Sequence, residues 1–170
     1  MSTLPCATLH AVQSVIHREA LYLDSQRWDD WLALFTEDAV FWMPAWTDEH
    51  RLSASPEREL SLIYCTARAG LEDRVWRVRS GLSIASKPLP RTSHAVTNSV
   101  FSPDGESQDK VVVDSSWTCH VYQLKQRSQH VFFGSYQHHL VCEQGAWRIQ
   151  SKKVVLMNDQ IPTMLDFYCI

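Results

Sequence analysis

The spacing of apolar residues changes period near the middle of this chain, and that change restricts the fold more than any single motif. Up to about residue 80 the pattern is helical. Val12, Ile16 and Leu23 recur at helical intervals across 9–24, and Trp28, Trp31, Leu32 and Phe35 make the stripe of a second, short helix. Leu71, Val75 and Val78 lie along one side of a further helical stretch over 71–79. Beyond a proline-punctuated connector at 86–91 the pattern alternates instead, over 94–101, 110–123, 131–142 and 147–156. Within 110–123, Val111, Val113, Trp117, Cys119 and Val121 share one face at period two. Ser102-Pro-Asp-Gly105, the neighbourhood of Arg127 and Glu143-Gln-Gly145 supply the turns. Long sequential strands joined by short turns pair antiparallel. The class is α+β: helices first, then a curved antiparallel sheet on which they pack, in one domain over 1–170.

Two shorter elements fall between the helices. Ala39-Val-Phe-Trp-Met-Pro44 is β-rich and stopped by proline, which predicts a short strand. Residues 45–56 are polar and predict a loop, and Pro56 suits the first turn of a third helix running through Glu59, Leu62 and Ile63.

Composition narrows the function classes. Apolar residues at 45% and charged residues at 21% are the balance of an ordinary globular domain. A formal charge of −3 gives no electrostatic support for nucleic acid or an anionic membrane as partner. No apolar run is long enough to span a bilayer, and His10, Gln13, His17, Arg18 and Glu19 interrupt the start of the chain where a signal peptide would be apolar. The five cysteines, odd in number and never in a CxxC pair, favour reduced thiols and a cytoplasmic location.

Histidine spacing argues against a metal centre. His138 and His139 are adjacent in a strand and point to opposite faces. His10 and His17 are about 10 Å apart by helical rise. With a turn at Arg127, His120 falls opposite Gly134, leaving His138 roughly 13 Å further along the strand. No CxH or CxxH pair of the Rieske kind occurs, nor a close His pair with an Asp like the mononuclear iron triad. No GxSxG elbow or glycine-rich phosphate loop occurs either.

One set of side chains could do acid–base work. Tyr22 and Asp24 end the first helix, Asp38 starts the first strand and His94 opens the sheet, so all four could line a cone-shaped pocket of a dehydratase or isomerase. Against this, Asp24 suits a helix cap, Asp38 a turn, and His94 a backbone hydrogen bond. Arg91, beside two prolines, and Arg74, Arg77 and Arg79 are candidates for carboxylate recognition across an interface, or for a solvated face. A small-molecule binding module without chemistry is a third reading.

Three motifs in this order resemble the beta subunits of aromatic-ring-hydroxylating dioxygenases. The first is Glu19-Ala-Leu-Tyr-Leu-Asp24 with Trp28-Asp-Asp-Trp31, Phe35, Glu37-Asp-Ala-Val40 and Trp42-Met-Pro44. The second is Leu71-Glu-Asp-Arg-Val75 with Arg77, Pro90-Arg-Thr-Ser-His94 and Asn98. The third is Trp147-Arg-Ile149 with Lys152-Lys-Val-Val-Leu-Met-Asn-Asp159 and Pro162. The commoner family pattern has two adjacent acidic residues where this chain has Tyr64-Cys-Thr-Ala67.

The resemblance implies an NTF2-like cone and a small, non-catalytic subunit. It implies a homotrimer of this chain joined to three large alpha subunits as α3β3. The partner would carry the Rieske 2Fe-2S cluster and the mononuclear Fe(II), and this chain no cofactor. A reductase, with or without a ferredoxin, would deliver electrons to the holoenzyme. Segments Ser61-Leu-Ile-Tyr64 and Arg68-Ala-Gly-Leu-Glu-Asp-Arg74 resemble branches acting on aromatic acids such as salicylate, anthranilate or terephthalate. The expected interface residues are Arg91, His94, Asn98, Lys152, Lys153, Asn158 and Asp159, with Trp42, Trp46, Trp76, Trp117 and the apolar segment 164–170 as further contact surface.

Overall fold

The computed structural model describes residues 4–82, 87–105, 107–158 and 160–170; Asp159, and Ser86 of the expected connector, lie outside them. Helices α1 (Cys6–Asp24) and α2 (Trp28–Ala33) lead into β1 (Phe35–Pro44) and β2 (Ser61–Cys65). Helix α3 (Arg68–Ser80) follows, then β3 (Arg91–Pro103), β4 (Lys110–Gln123), β5 (Ser128–Glu143) and β6 (Ala146–Leu156). A short 3-10 helix, Phe167–Cys169, closes the chain. The six strands form one sheet in the order β2-β1-β6-β5-β4-β3.

The period switch has its expected consequence. Val12, Val15, Ile16, Glu19 and Leu23 are the buried stripe of α1, and odd-numbered Val111, Val113, Trp117, Cys119 and Val121 of β4 are buried opposite. Gln144 and Gly145 both have positive φ and close β5 onto β6 as a two-residue turn. Register shifts interrupt β3 between Thr97 and Val100 and the β5–β6 ladder at His139/Leu140. Bulges of this kind bend strands and increase twist, which wraps the sheet into a cone around α1. Asn98 takes the left-handed backbone (φ 54) at the β3 bulge, a conformation asparagine tolerates better than most side chains.

Four expectations are corrected. Residues 56–63 are not a helix: 56–58 form a turn, and 61–65 alternate in burial and pair antiparallel with β1, placing Ile63 beside Met43 and Cys65 beside Phe41. The Glu59 carboxylate accepts from the backbone N–H groups of Ala54 and Ser55, folding this stretch back before a helical turn can propagate. Phe35 is the first residue of β1 rather than part of the helical stripe, and the sheet is not wholly antiparallel, because β1 runs parallel to β6. The β4–β5 turn occupies 124–127, so His120 faces Val131, Trp117 faces Gly134, and His138 faces Val113. That places His120 and His138 further apart along the strands than the sequence register had them.

The mouth of the cone is filled by aromatic rings. Phe167 stacks on Trp31 at 5.0 Å between centroids and meets Trp28 edge-on at 5.3 Å, while Trp31 meets Phe35 at 5.1 Å. The tail is held there by an ion pair from Arg74 Nη1 to Asp166 Oδ1 at 2.9 Å; Asp166 also accepts from the Phe167 N–H. Phe167, Tyr168, Cys169 and Ile170 are all buried. Segment 164–170 therefore covers this chain's own core in large part rather than offering an apolar surface outward.

Candidate functional site

Helix α1 carries a carboxylate on its apolar stripe. Glu19 lies one turn from Ile16 and one from Leu23, and a buried carboxylate requires paired hydrogen-bond donors. Lys152 Nζ reaches Glu19 Oε1 at 2.9 Å and His138 Nε2 reaches Glu19 Oε2 at 2.9 Å. All three side chains are at most 2% exposed. The Lys152 ammonium also sits 4.0 Å from the centroid of the Tyr136 ring, which lies flat on Trp117 at 5.0 Å.

The electrostatics of this cluster follow from burial and pairing. Burial would raise the Glu19 carboxyl, but Lys152 and His138 outweigh it and bring the carboxyl down to about 2. Burial pushes His138 below its ordinary value, with Glu19 only partly restoring it, so the ring is neutral and donates from Nε2. Lys152 is lowered by burial in the same way, with Glu19 opposing. Glu19 and Lys152 thus form an ion pair inside the cone, with a neutral imidazole satisfying the second carboxylate oxygen.

A second, partly buried pair adjoins the first. At the end of α1, Asp24 accepts from Thr92 Oγ1 at 2.9 Å, from the backbone N–H of His94 at 2.9 Å, and pairs with His94 Nδ1 at 2.6 Å. Burial raises the Asp24 carboxyl, but these bonds outweigh it and leave it below the ordinary aspartate value. The His94 side chain is 1% exposed. Its Nε2 has no hydrogen-bond partner among the described residues.

The expected acid–base set is therefore only half assembled. Asp24 and His94 converge, whereas the contacts of the other two are local: Tyr22 lies under the Arg27 guanidinium (4.5 Å) and Asp38 accepts from Thr36 Oγ1 (2.7 Å). The space shared by Glu19, Leu23, His94, Val96, Tyr136 and Lys152 is too small for a water molecule. In this packed state no substrate reaches His94.

Three other histidines have local partners: His139 pairs with Asp104 at 3.0 Å, His120 with Gln129 at 3.3 Å and His130 with Ser128 at 3.3 Å. Among the described residues, no three His, Cys, Asp or Glu side chains are grouped to hold a metal ion.

The expected interface residues divide in two. The Lys152 and His94 side chains are directed inward, each 1% exposed. Arg91 and Asn98 are exposed on β3, and Lys153 is half-buried with its ammonium 4.8 Å from the Trp42 ring. Asn158 accepts from the Phe133 N–H (3.1 Å) and donates to the Val131 carbonyl (3.0 Å), extending the β5–β6 ladder by side chain. Of the tryptophans, Trp117 is buried, Trp42 and Trp46 are half-buried and Trp76 is 59% exposed. The outer face of β4 and β5 adds a patch absent from the sequence expectations: Tyr122, Val131 and Phe133 are exposed, with Met157 alongside.

Comparison with known proteins agrees with this arrangement. Residues 18–163 match the family model described as ring hydroxylating beta subunit. The small subunit of 2-halobenzoate 1,2-dioxygenase from Burkholderia cepacia is 38% identical over 99% of both chains. The anthranilate 1,2-dioxygenase small subunit of Acinetobacter baylyi is 36% identical over 93% of this chain and 94% of its own. The crystal structure of the beta subunit of benzoate 1,2-dioxygenase from Burkholderia mallei superposes with a TM-score of 0.78 at 37% identity over 100% of both chains. An NTF2-like cone with its interior closed by its own tail, matched over nearly its whole length by these subunits, belongs to the beta-subunit family of ring-hydroxylating dioxygenases.

Proposed function

We infer that this chain is the structural subunit of a dioxygenase acting on an aromatic carboxylic acid of the benzoate type, in the cytoplasm. Three copies form a trimer that supports three large subunits. Those partners hold the Rieske 2Fe-2S cluster and the mononuclear Fe(II), and receive electrons from NAD(P)H through a reductase, with or without a ferredoxin. The observation that carries the substrate class is the full-length likeness to relatives named for halobenzoate, anthranilate and benzoate.

Exposure supports one choice of assembly surface. Tyr122, Val131, Phe133 and Met157 form an apolar strip on the outside of the sheet, and obligate interfaces are richer in apolar and aromatic surface than the rest of a protein. Arg91 borders this strip as the cross-strand partner of Tyr122, and Asn158 holds its edge. Asn98 and Lys153 stand further along the same sheet. We assign contacts between subunits to these residues, and to Asp159 from the sequence alone.

Co-expression with a large chain bearing CxH…CxxH, followed by assay on benzoate, anthranilate and benzene, tests the reading. Turnover of the acids and not of benzene, dependent on this chain, supports it. Turnover that is the same without this chain, or that favours benzene, contradicts it.

A further inference from the structure

A groove between α1 and the β5–β6 turn shares no residue with the surface assigned to assembly. It is lined by His10, Ser14, Arg18 and Trp147 with the apolar Ala11 and Val15, and has a volume of about 370 Å³. His10, Ser14 and Arg18 recur every four residues, so they follow one another along a single face of α1 over about 12 Å. The fold makes no use of their polar groups. Among the described residues, the Arg18 guanidinium has no carboxylate partner, and the His10 ring, the Ser14 hydroxyl and the Trp147 indole N–H make no hydrogen bond. Glu19, next in the chain, is turned into the cone toward Lys152 and does not compete for Arg18.

The chemistry of the lining selects a ligand class. Arg18 and Trp147 can only donate, His10 and Ser14 can also donate, and no acidic side chain lines the groove. Such a lining fits an anion that only accepts. The planar guanidinium fork matches a carboxylate through two parallel hydrogen bonds. An indole beside aliphatic side chains suits a flat apolar ring. Ala11, Ser14 and Val15 are small enough to leave that ring room, and the volume is in the range of small-ligand pockets.

We propose that this groove is a binding site for a small aromatic carboxylate, with the carboxylate on Arg18 and the ring against Trp147. No bond is made or broken. The bound acid bridges α1 and the β5–β6 hairpin and stabilises the folded chain by mass action. The large partner takes no part, so an empty groove leaves the assembly role untouched, and a failed assembly leaves the groove.

The test titrates the full chain by calorimetry, at up to about 10 mM, with benzoate, with toluene, which lacks the carboxylate, and with acetate, which lacks the ring. Benzoate is expected to bind at one site per chain and to raise the melting temperature. Its affinity should fall at least about tenfold in Arg18→Gln, and likewise in Ser14→Trp, which fills the groove. Arg18→Lys keeps the charge without the fork and should retain part of the affinity. Toluene and acetate should show no saturable binding over the same range. No binding of benzoate to the folded chain, affinity unchanged in Arg18→Gln, affinity lost instead in Arg91→Gln, or acetate bound as tightly as benzoate overturns the proposal.

Discussion

Lys152 on β6 and Glu19 on α1 meet at 2.9 Å inside the cone, each with almost no solvent contact. This pair ties the first helix to the strand that joins the two halves of the sheet. Removing one partner leaves an uncompensated buried charge, at a cost of about 3–5 kcal/mol. Glu19→Gln and Lys152→Met are each expected to lower unfolding stability by that amount in urea melts. The double variant Glu19→Leu/Lys152→Met should recover most of the loss, leaving a deficit from the His138 bond to Glu19.

The same cluster sets a pH dependence. His138 in the folded chain is below its ordinary 6.5, so as pH falls through 6.5 the unfolded chain takes a proton that the folded chain refuses, and stability falls. Glu19 goes from an ordinary 4.5 to about 2, so its contribution is complete above 4.5 and is lost as pH falls from there to about 2. By linkage that second loss is on the order of 3 kcal/mol. Urea melts across this range should show both declines. Glu19→Gln should remove the lower one.

Gly134 makes room for a neighbouring backbone. A Cβ there would lie 1.9 Å from the Val155 carbonyl oxygen, and backbone cannot retreat as a flexible side chain can. Gly134→Ala should cost about 1–3 kcal/mol or more and shift β6 against β5, seen as lost amide protection in hydrogen exchange.

Asn98 separates bulge geometry from contact. With φ at 54, Asn98→Gly is expected to leave monomer stability nearly unchanged, whereas Asn98→Val should cost about 1–2 kcal/mol. Thermal melts of the two variants side by side decide this. Equal losses would mean that the side chain, bonded weakly to Ser116 at 3.5 Å, matters more than the backbone.

Much of this fold was legible in the sequence, because long periodic segments carry their own address. The α1 stripe and the inward face of β4 are examples. Strand β2 was not legible: five residues after a proline suit a helix start as well as a strand, and β1 as pairing partner decided the matter. The Glu19 ion pair left one signal, a carboxylate on an apolar stripe. Its partner was hidden by the register shift at His139/Leu140, which lets Ile149 and Lys152 face the same way despite opposite parity. The tail 164–170 was recognisable as apolar. Only the tertiary arrangement says that Phe167 fills this chain's own cone.

The proposed assembly surface is tested at Phe133. Phe133→Glu places a charge at the centre of the exposed apolar surface and leaves the interior untouched. Sedimentation of the isolated chain should show a smaller species with an unchanged melting temperature of the protomer.

The most direct measurement is the mass and iron content of the complex formed when this chain and a Rieske-type large chain are expressed together. Light scattering on the purified sample should give equal numbers of the two chains in an α3β3 particle, with all iron on the large chain. A small chain that elutes alone and never carries an iron-bearing partner with it would contradict the account.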